Sequence, residues 1–247
     1  MIVNRDQHGV TIIYHAAHGL LAGKIANRLR QDLRFEPWFD FLIAVSEHDD
    51  RQLDFNEKSY LSDSGIPINF SEEKKYVNDI MRRMQRVITT ANGKSSFVRM
   101  MISSHLEFLY GSFRSKSKRI KDFLNREKSV RERTLTIYNM NSASLSHAYQ
   151  CLRFCDRLSL ILSMGKAPNN GRTLEINTSI NNEAYFIKRT SKTKLNIKPW
   201  PFNTNEFTLS MEARVLEKAC FDSEAQFQNE IQNKSPVLKS WIISKNG

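Results

Sequence analysis

No apolar run in this sequence approaches the roughly 20 residues that a helix needs to cross a bilayer, so a membrane span is not expected. The opening residues, Met1-Ile2-Val3-Asn4-Arg5-Asp6, lack a basic stretch followed by an apolar one, so no signal peptide is expected either. Cysteine is scarce. Cys151, Cys155 and Cys220 are an odd number with no CxxC spacing, which fits reduced thiols and a cytoplasmic location. Cys151 and Cys155 stand four apart on an expected helix, so they share one face, and burial is the expected fate of both. Internal repeats and low-complexity segments are absent. Histidine is sparse, with six in 247 residues.

What is present is ordinary in bulk and uneven in charge. The chain is 40% hydrophobic and 26% charged, a composition that supports a sizeable core. The net charge is +11. Much of it lies between Arg114 and Arg133, where nine basic residues face three acids, a net of +6. Such a field attracts phosphate-bearing partners: nucleotides, nucleic acid or an anionic surface. A solvated helix face is the plainer explanation. The stretch holds Phe123 and follows Phe113, which does not make a base-stacking platform.

Hydrophobic periodicity divides the chain in two. Ile2-Val3 and Val10 to Tyr14 read as a hairpin whose turn, Asp6-Gln7-His8-Gly9, exposes His8. Helical spacing follows in His15–Arg30, in the segment from Pro37 to His48, and in a helix capped by Ser71 that carries Tyr76, Ile80, Met84 and Val87. Two further helices carry Phe97 to Leu109 and Ser142 to Met164, with the basic stretch between them. Lys166-Ala-Pro-Asn-Asn-Gly171 marks a change. Strand-like runs then occupy 173–178, 184–188, 194–198 and 206–211, with a short helix at 223–231 and a last strand at 238–243. The N-terminal hairpin is a candidate to join that sheet.

The chemistry-bearing residues are few. With eleven aspartates and six histidines, a His-Asp dipeptide arises by chance about a quarter of the time. His48-Asp49 gains weight because it ends an apolar helix, where buried polar groups need partners. Imidazole nitrogen and carboxylate oxygen together suit Mn, Fe, Co, Ni, Zn or Mg. Asp156 is an isolated acid in an apolar helix, so it needs a metal or a salt bridge to Arg153 or Arg157. His15 and His18 lie one turn apart and can face the same way. His105 is either a hydrogen-bonded core histidine or a site residue that moves protons. His147 is nine positions before Asp156 and so lies on the opposite face of a straight helix. Asp54 can orient a ligand or act as a base, and Arg51 can grip phosphate oxygens.

The order His18, His48-Asp49, Asp156 resembles the H…HD…D signature of the HD-domain superfamily of metal-dependent phosphohydrolases. That resemblance implies one divalent metal ion (Mn, Fe, Co, Ni, Mg or Zn) held by His18, His48, Asp49 and Asp156. It implies hydrolysis of a phosphate ester or nucleotide by a metal-activated water, with His105, Asp54 and Arg51 assisting. It also implies a mainly α, HD-like helical bundle with an N-terminal β-hairpin and a small β-rich C-terminal part, α+β overall. Residues 1–165 would form the hairpin and body, and residues 166–247 would pack on them as one globular unit. The alternatives are an inactive scaffold that binds nucleic acid through Arg114–Arg133, and an iron oxygenase, which such bundles sometimes are.

A second resemblance, covering nearly the whole chain, is to a bacterial family known only as a domain of unknown function. It rests on His18-Gly-Leu-Leu-Ala-Gly23, Ala44-Val-Ser-Glu-His-Asp-Asp50, Leu61-Ser-Asp-Ser-Gly-Ile-Pro67, Ser103-Ser-His105, Asp156-Arg-Leu-Ser-Leu160 and Pro199-Trp-Pro-Phe202. That family often has Gln where His15 stands, which makes His15 a pocket neighbour and not an obligatory ligand. It often has Gly-Trp where this chain has Arg51-Gln52.

Overall fold

A computed structural model describes every residue except His8, Asn170 and Gly247, and every side chain but theirs and those of Asn177 and Thr178. The exposed turn expected at His8 therefore lies outside the described residues. Among those described, the chain forms seven strands in one sheet: β1 (Ile2–Asp6), β2 (Gly9–Ile13), β3 (Leu174–Ile180), β4 (Glu183–Arg189), β5 (Lys194–Lys198), β6 (Glu206–Leu216) and β7 (Val237–Ser244). The helices are α1 (His15–Ala26), α2 (Trp38–Glu47), α3 (Val77–Asn92), α4 (Ser96–Tyr110), α5 (Lys118–Ile137), α6 (Ser142–Ser163) and α7 (Glu224–Asn233). No helix is long and apolar enough to cross a membrane among the described residues.

The sheet corrects the expected fold class. Its order is β1-β2-β6-β7-β5-β4-β3, a single curled mixed sheet in which only β5 and β7 run parallel. A mainly α bundle with a small β appendage does not describe it: the fold is α+β, built on a large sheet. The reason lies in β6. It is eleven residues long, so it pairs with β7 along one edge and still reaches β2 at Val10 to Ile12 along the other. The two ends of the sequence thereby become one surface. Short-range periodicity cannot register such a long-range pairing.

A second expected element also shifts. Ser71 does not cap a helix, and α3 starts only at Val77. Residues 69–72 are held to the hairpin instead. The Phe70 N–H donates to the Met1 carbonyl at 2.9 Å, the Asn69 amide to the Val3 carbonyl at 3.0 Å, and Arg5 pairs with Glu72. These tertiary bonds outweigh a capping preference of about 1 kcal/mol.

Two glycines set the geometry of the interior. A Cβ at Gly19 would lie 2.3 Å from the Ser46 carbonyl oxygen, and one at Gly23 would lie 2.0 Å from Ser46 Oγ. Four residues apart on α1, they form a flat strip against which α2 packs at close range. That contact brings His18 of α1 beside His48 at the end of α2. Helix α6 buries Cys151, Leu152, Phe154, Cys155 and Leu158 in the main core and carries Asp156 to the same place.

Candidate metal centre

Three sequence-predicted ligands converge. The nearest donor atoms of His18, His48 and Asp156 all lie within 4.8 Å of one another. His18 Nε2 and His48 Nε2 each stand 3.2 Å from the same oxygen, Asp156 Oδ1. Both imidazoles are fully buried. Their rings meet edge to face with centroids 5.1 Å apart.

The far nitrogens decide what the near ones can do. His48 Nδ1 lies 2.6 Å from the Val45 carbonyl, which can only accept, so Nδ1 carries the hydrogen. His18 Nδ1 lies 2.7 Å from Ser159 Oγ, and that hydroxyl is 2.8 Å from the Asp156 carbonyl. With the hydroxyl donating to the carbonyl, Oγ accepts from His18 Nδ1–H. Both Nε2 atoms then present lone pairs to a carboxylate oxygen. With both imidazoles neutral, three acceptors face one another, and a proton or a metal ion is needed among them. His18 Nε2 in addition is buried without an aligned hydrogen-bond partner. The donor set fits a divalent ion, and the Val45 and Ser159 contacts are the outer partners that such ligand histidines require.

Charge follows the same logic. Burial alone would lower the basicity of His48, but the Asp156 carboxylate outweighs it and raises the pKa to about 9. Burial would push Asp156 up, and the two imidazoles hold it far below the usual carboxylate range instead. A proton thus occupies the place a metal would take. The Asp156 partners expected as an alternative are elsewhere: the Arg153 guanidinium lies over the Phe108 ring at 4.4 Å, and Asp156 makes no ion pair with Arg157 among the described residues.

Asp49, the fourth expected ligand, is placed differently. Its Oδ2 is hydrogen-bonded to His15 Nδ1, its Oδ1 is paired with Arg83 Nη2, and Gln52 donates to Oδ1 at 3.2 Å. His15 and Arg83 hold this part-buried carboxyl well below its usual pKa against the effect of burial. Arg83 is itself braced by the Tyr110 hydroxyl at 2.6 Å. Asp49 is therefore a satisfied, part-buried anion beside the three converging groups.

The assisting residues also separate. His105 packs edge-on to His48 at 4.9 Å between centroids, and burial lowers its pKa to about 3, so it is neutral at physiological pH. Together with Asp156, Arg83 and Lys75 it lines a cleft of about 200 Å³. Arg51 and Asp54 line a different cavity, of about 330 Å³, which shares His15, Asp49 and Gln52 with the first. Asp54 there accepts from the Asn56 N–H at 3.0 Å in a local turn. Arg51 has a φ of 58°. That left-handed conformation favours glycine, which suits the Gly that the resembling family often has at this position. His147 bonds to the Leu33 carbonyl at 3.0 Å, away from the centre.

Sequence reasoning missed Arg83 and Ser159. The signal for Arg83 was available: it falls between Ile80 and Val87 on the apolar stripe of α3, where a charge needs a buried partner. Ser159 is three residues after Asp156 on the same helical face. Neither spacing names the partner.

The basic stretch is partly internal. Arg114 pairs with Glu107 at 2.6 Å, and the buried Arg131 reaches the Ser103 carbonyl at 3.2 Å. Arg126 lies over the Phe123 ring.

No curated protein matches the chain, and no solved structure matches it. A family profile does match, over residues 1–218: the chain belongs to the protein family of unknown function DUF3891.

Proposed function

We propose that the protein is a metal-dependent phosphohydrolase, with its ion held by His18, His48 and Asp156. One observation carries the reading: two imidazole lone pairs, their tautomers set by Val45 and Ser159, converge on a single carboxylate oxygen in the interior. Two histidines and one carboxylate leave coordination positions for water and substrate, as in catalytic and not structural sites. A divalent ion bound there supplies an acidified water and polarises a phosphoryl oxygen.

The chain's own residues supply the rest. Arg83 and Lys75 wall the same cleft as Asp156 and balance the charge of a phosphate. Arg83 Nε is buried without a partner, so it has a donor for a phosphoryl oxygen. Neutral His105, braced by the Tyr149 hydroxyl 3.4 Å from its Nδ1, fixes the side of the cleft next to His48. Asp49 orients Arg83 and His15 and does not bind the ion directly.

The same donor set also serves non-haem iron oxygenases. Lys75 and Arg83 beside Asp156 favour phosphate chemistry over oxidation, and the test covers both. Protein purified without chelator is assayed for bound metal, then for phosphate-ester hydrolysis with Mn, Co, Mg, Fe and Zn, and for oxygen uptake with Fe. The expected result is one divalent ion per chain and hydrolysis, both lost at least a hundredfold in Asp156→Asn. Failure to bind any divalent ion overturns the metal centre. A bound ion with oxygen uptake and no hydrolysis overturns the hydrolase.

A further inference from the structure

The cavity of about 330 Å³ that holds Arg51 has no role in the chemistry above. Its walls are mostly apolar, with Tyr14, Ala16, Leu53, Phe55 and Tyr60 among them. It is held rigid from behind. The Tyr60 hydroxyl is hydrogen-bonded to the Leu53 carbonyl, and Phe55 packs on Tyr60 at 5.0 Å and on Phe227 of α7 at 5.9 Å. Arg214 lies over the Tyr14 ring. Helix α7 lies beyond the residues that the family profile matches, so an element particular to this part of the chain helps to support the pocket.

The pocket adjoins the cleft that Asp156 lines. His15, Asp49 and Gln52 line both. At the pocket Arg51 is exposed and makes no hydrogen bond or ion pair among the described residues, yet it occupies a left-handed backbone position that side chains avoid. Strain of this kind persists where the surrounding structure imposes it and clusters at ligand sites.

We propose that this cavity is a binding site for the flat aromatic part of a phosphate ester whose phosphate sits in the adjoining cleft. The volume suits one or two fused rings, at the lower end of the small-molecule range. Three aromatic side chains offer ring faces and edges, and the Arg51 guanidinium can lie against the ring from the rim. Most of the exposed wall area is apolar, which suits a ring face better than the hydroxyls of a sugar. The role as a leaving-group site rests on the hydrolase reading; ring binding itself does not.

The test separates the two. Binding of 4-methylumbelliferone, a bicyclic aromatic alcohol, is measured by fluorescence and by NMR, beside cyclohexylmethanol and glucose. Ala16 is exposed, so Ala16→Trp fills the pocket from its rim without cutting into the core. The expected result is that the aromatic alcohol binds at least tenfold tighter than the other two. Its affinity falls at least tenfold in Ala16→Trp and several-fold in Arg51→Gly, and it stays within twofold in Asp156→Asn. Equal affinity for cyclohexylmethanol, no binding up to the solubility limit, or an unchanged affinity in a folded Ala16→Trp overturns the proposal. If Ala16→Trp does not fold, unchanged affinity in Arg51→Gly overturns it. Ring binding in a protein that binds no metal leaves the pocket standing and removes the hydrolase. A bound metal without ring binding does the reverse.

Discussion

Asp49 and Asp156 are both part-buried carboxylates beside His48, and the molecule uses them in opposite ways. Asp49 is surrounded by donors: His15, Arg83 and Gln52. Asp156 Oδ1 faces two imidazole nitrogens whose hydrogens are on their far sides. The first arrangement is complete without a ligand, and the second needs a proton or a metal ion between its members. An acid's sequence neighbours say it is buried; its partners' tautomers say whether it binds metal.

The largest test of this contrast is on the Asp49 side. Arg83→Leu leaves a part-buried carboxylate with one fewer counter-charge, and breaking such a pair costs up to about 3–5 kcal/mol. Urea denaturation should show that loss, while the variant that remains folded still binds one metal ion. Loss of the ion with unchanged stability would place Asp49, and not Asp156, at the metal.

A smaller effect is expected on the Asp156 side. Ser159→Ala removes the oxygen that fixes the His18 tautomer. Removing such an outer partner weakens metal affinity about 10–100-fold. Isothermal titration with the preferred ion should show this with little change in the denaturation midpoint. Unchanged affinity would mean that the tautomer is set by something else.

The smallest effect comes from the other face of α6. Burial pushes the Cys151 thiol from 9 up to about 12, and Cys155 rises as well. A raised pKa stabilises the neutral form. Its contribution is intact below the unfolded value near 9 and is lost as pH climbs from 9 towards 12. The urea midpoint should therefore fall more between pH 9 and 11 in wild type than in Cys151→Ala. At pH 8 only the exposed Cys220 should react quickly with a thiol reagent. One helix would then hold a charged acid on one face and thiols that are neutral at physiological pH on another.

Much of this was readable residue by residue. His48 stood out because it ends an apolar helix, and Asp156 because it interrupts one. The core helices followed from their period. Less was readable where the answer depended on distant segments. Ser71 has a capping residue's chemistry, but its neighbours are bonded to Met1 and Val3. Arg114 and Arg131 read as part of an exposed basic field, yet they are tied to α4. The sheet was underestimated because its defining contact joins residues about two hundred positions apart, Val10 and Leu216.

By itself the sequence determined the amphipathic helices, the two thiols on one face of α6, and which few histidines and acids were available for chemistry. These properties are set by side-chain type at spacings of three and four residues, and local backbone geometry enforces them. The tertiary structure alone decided that β6 joins the two ends of the chain, that Arg83 takes Asp49 out of the converging set, and that Val45 and Ser159 turn two imidazoles into lone-pair donors. Hydrogen-bond direction and charge pairing depend on which groups meet, and only the folded chain brings them together.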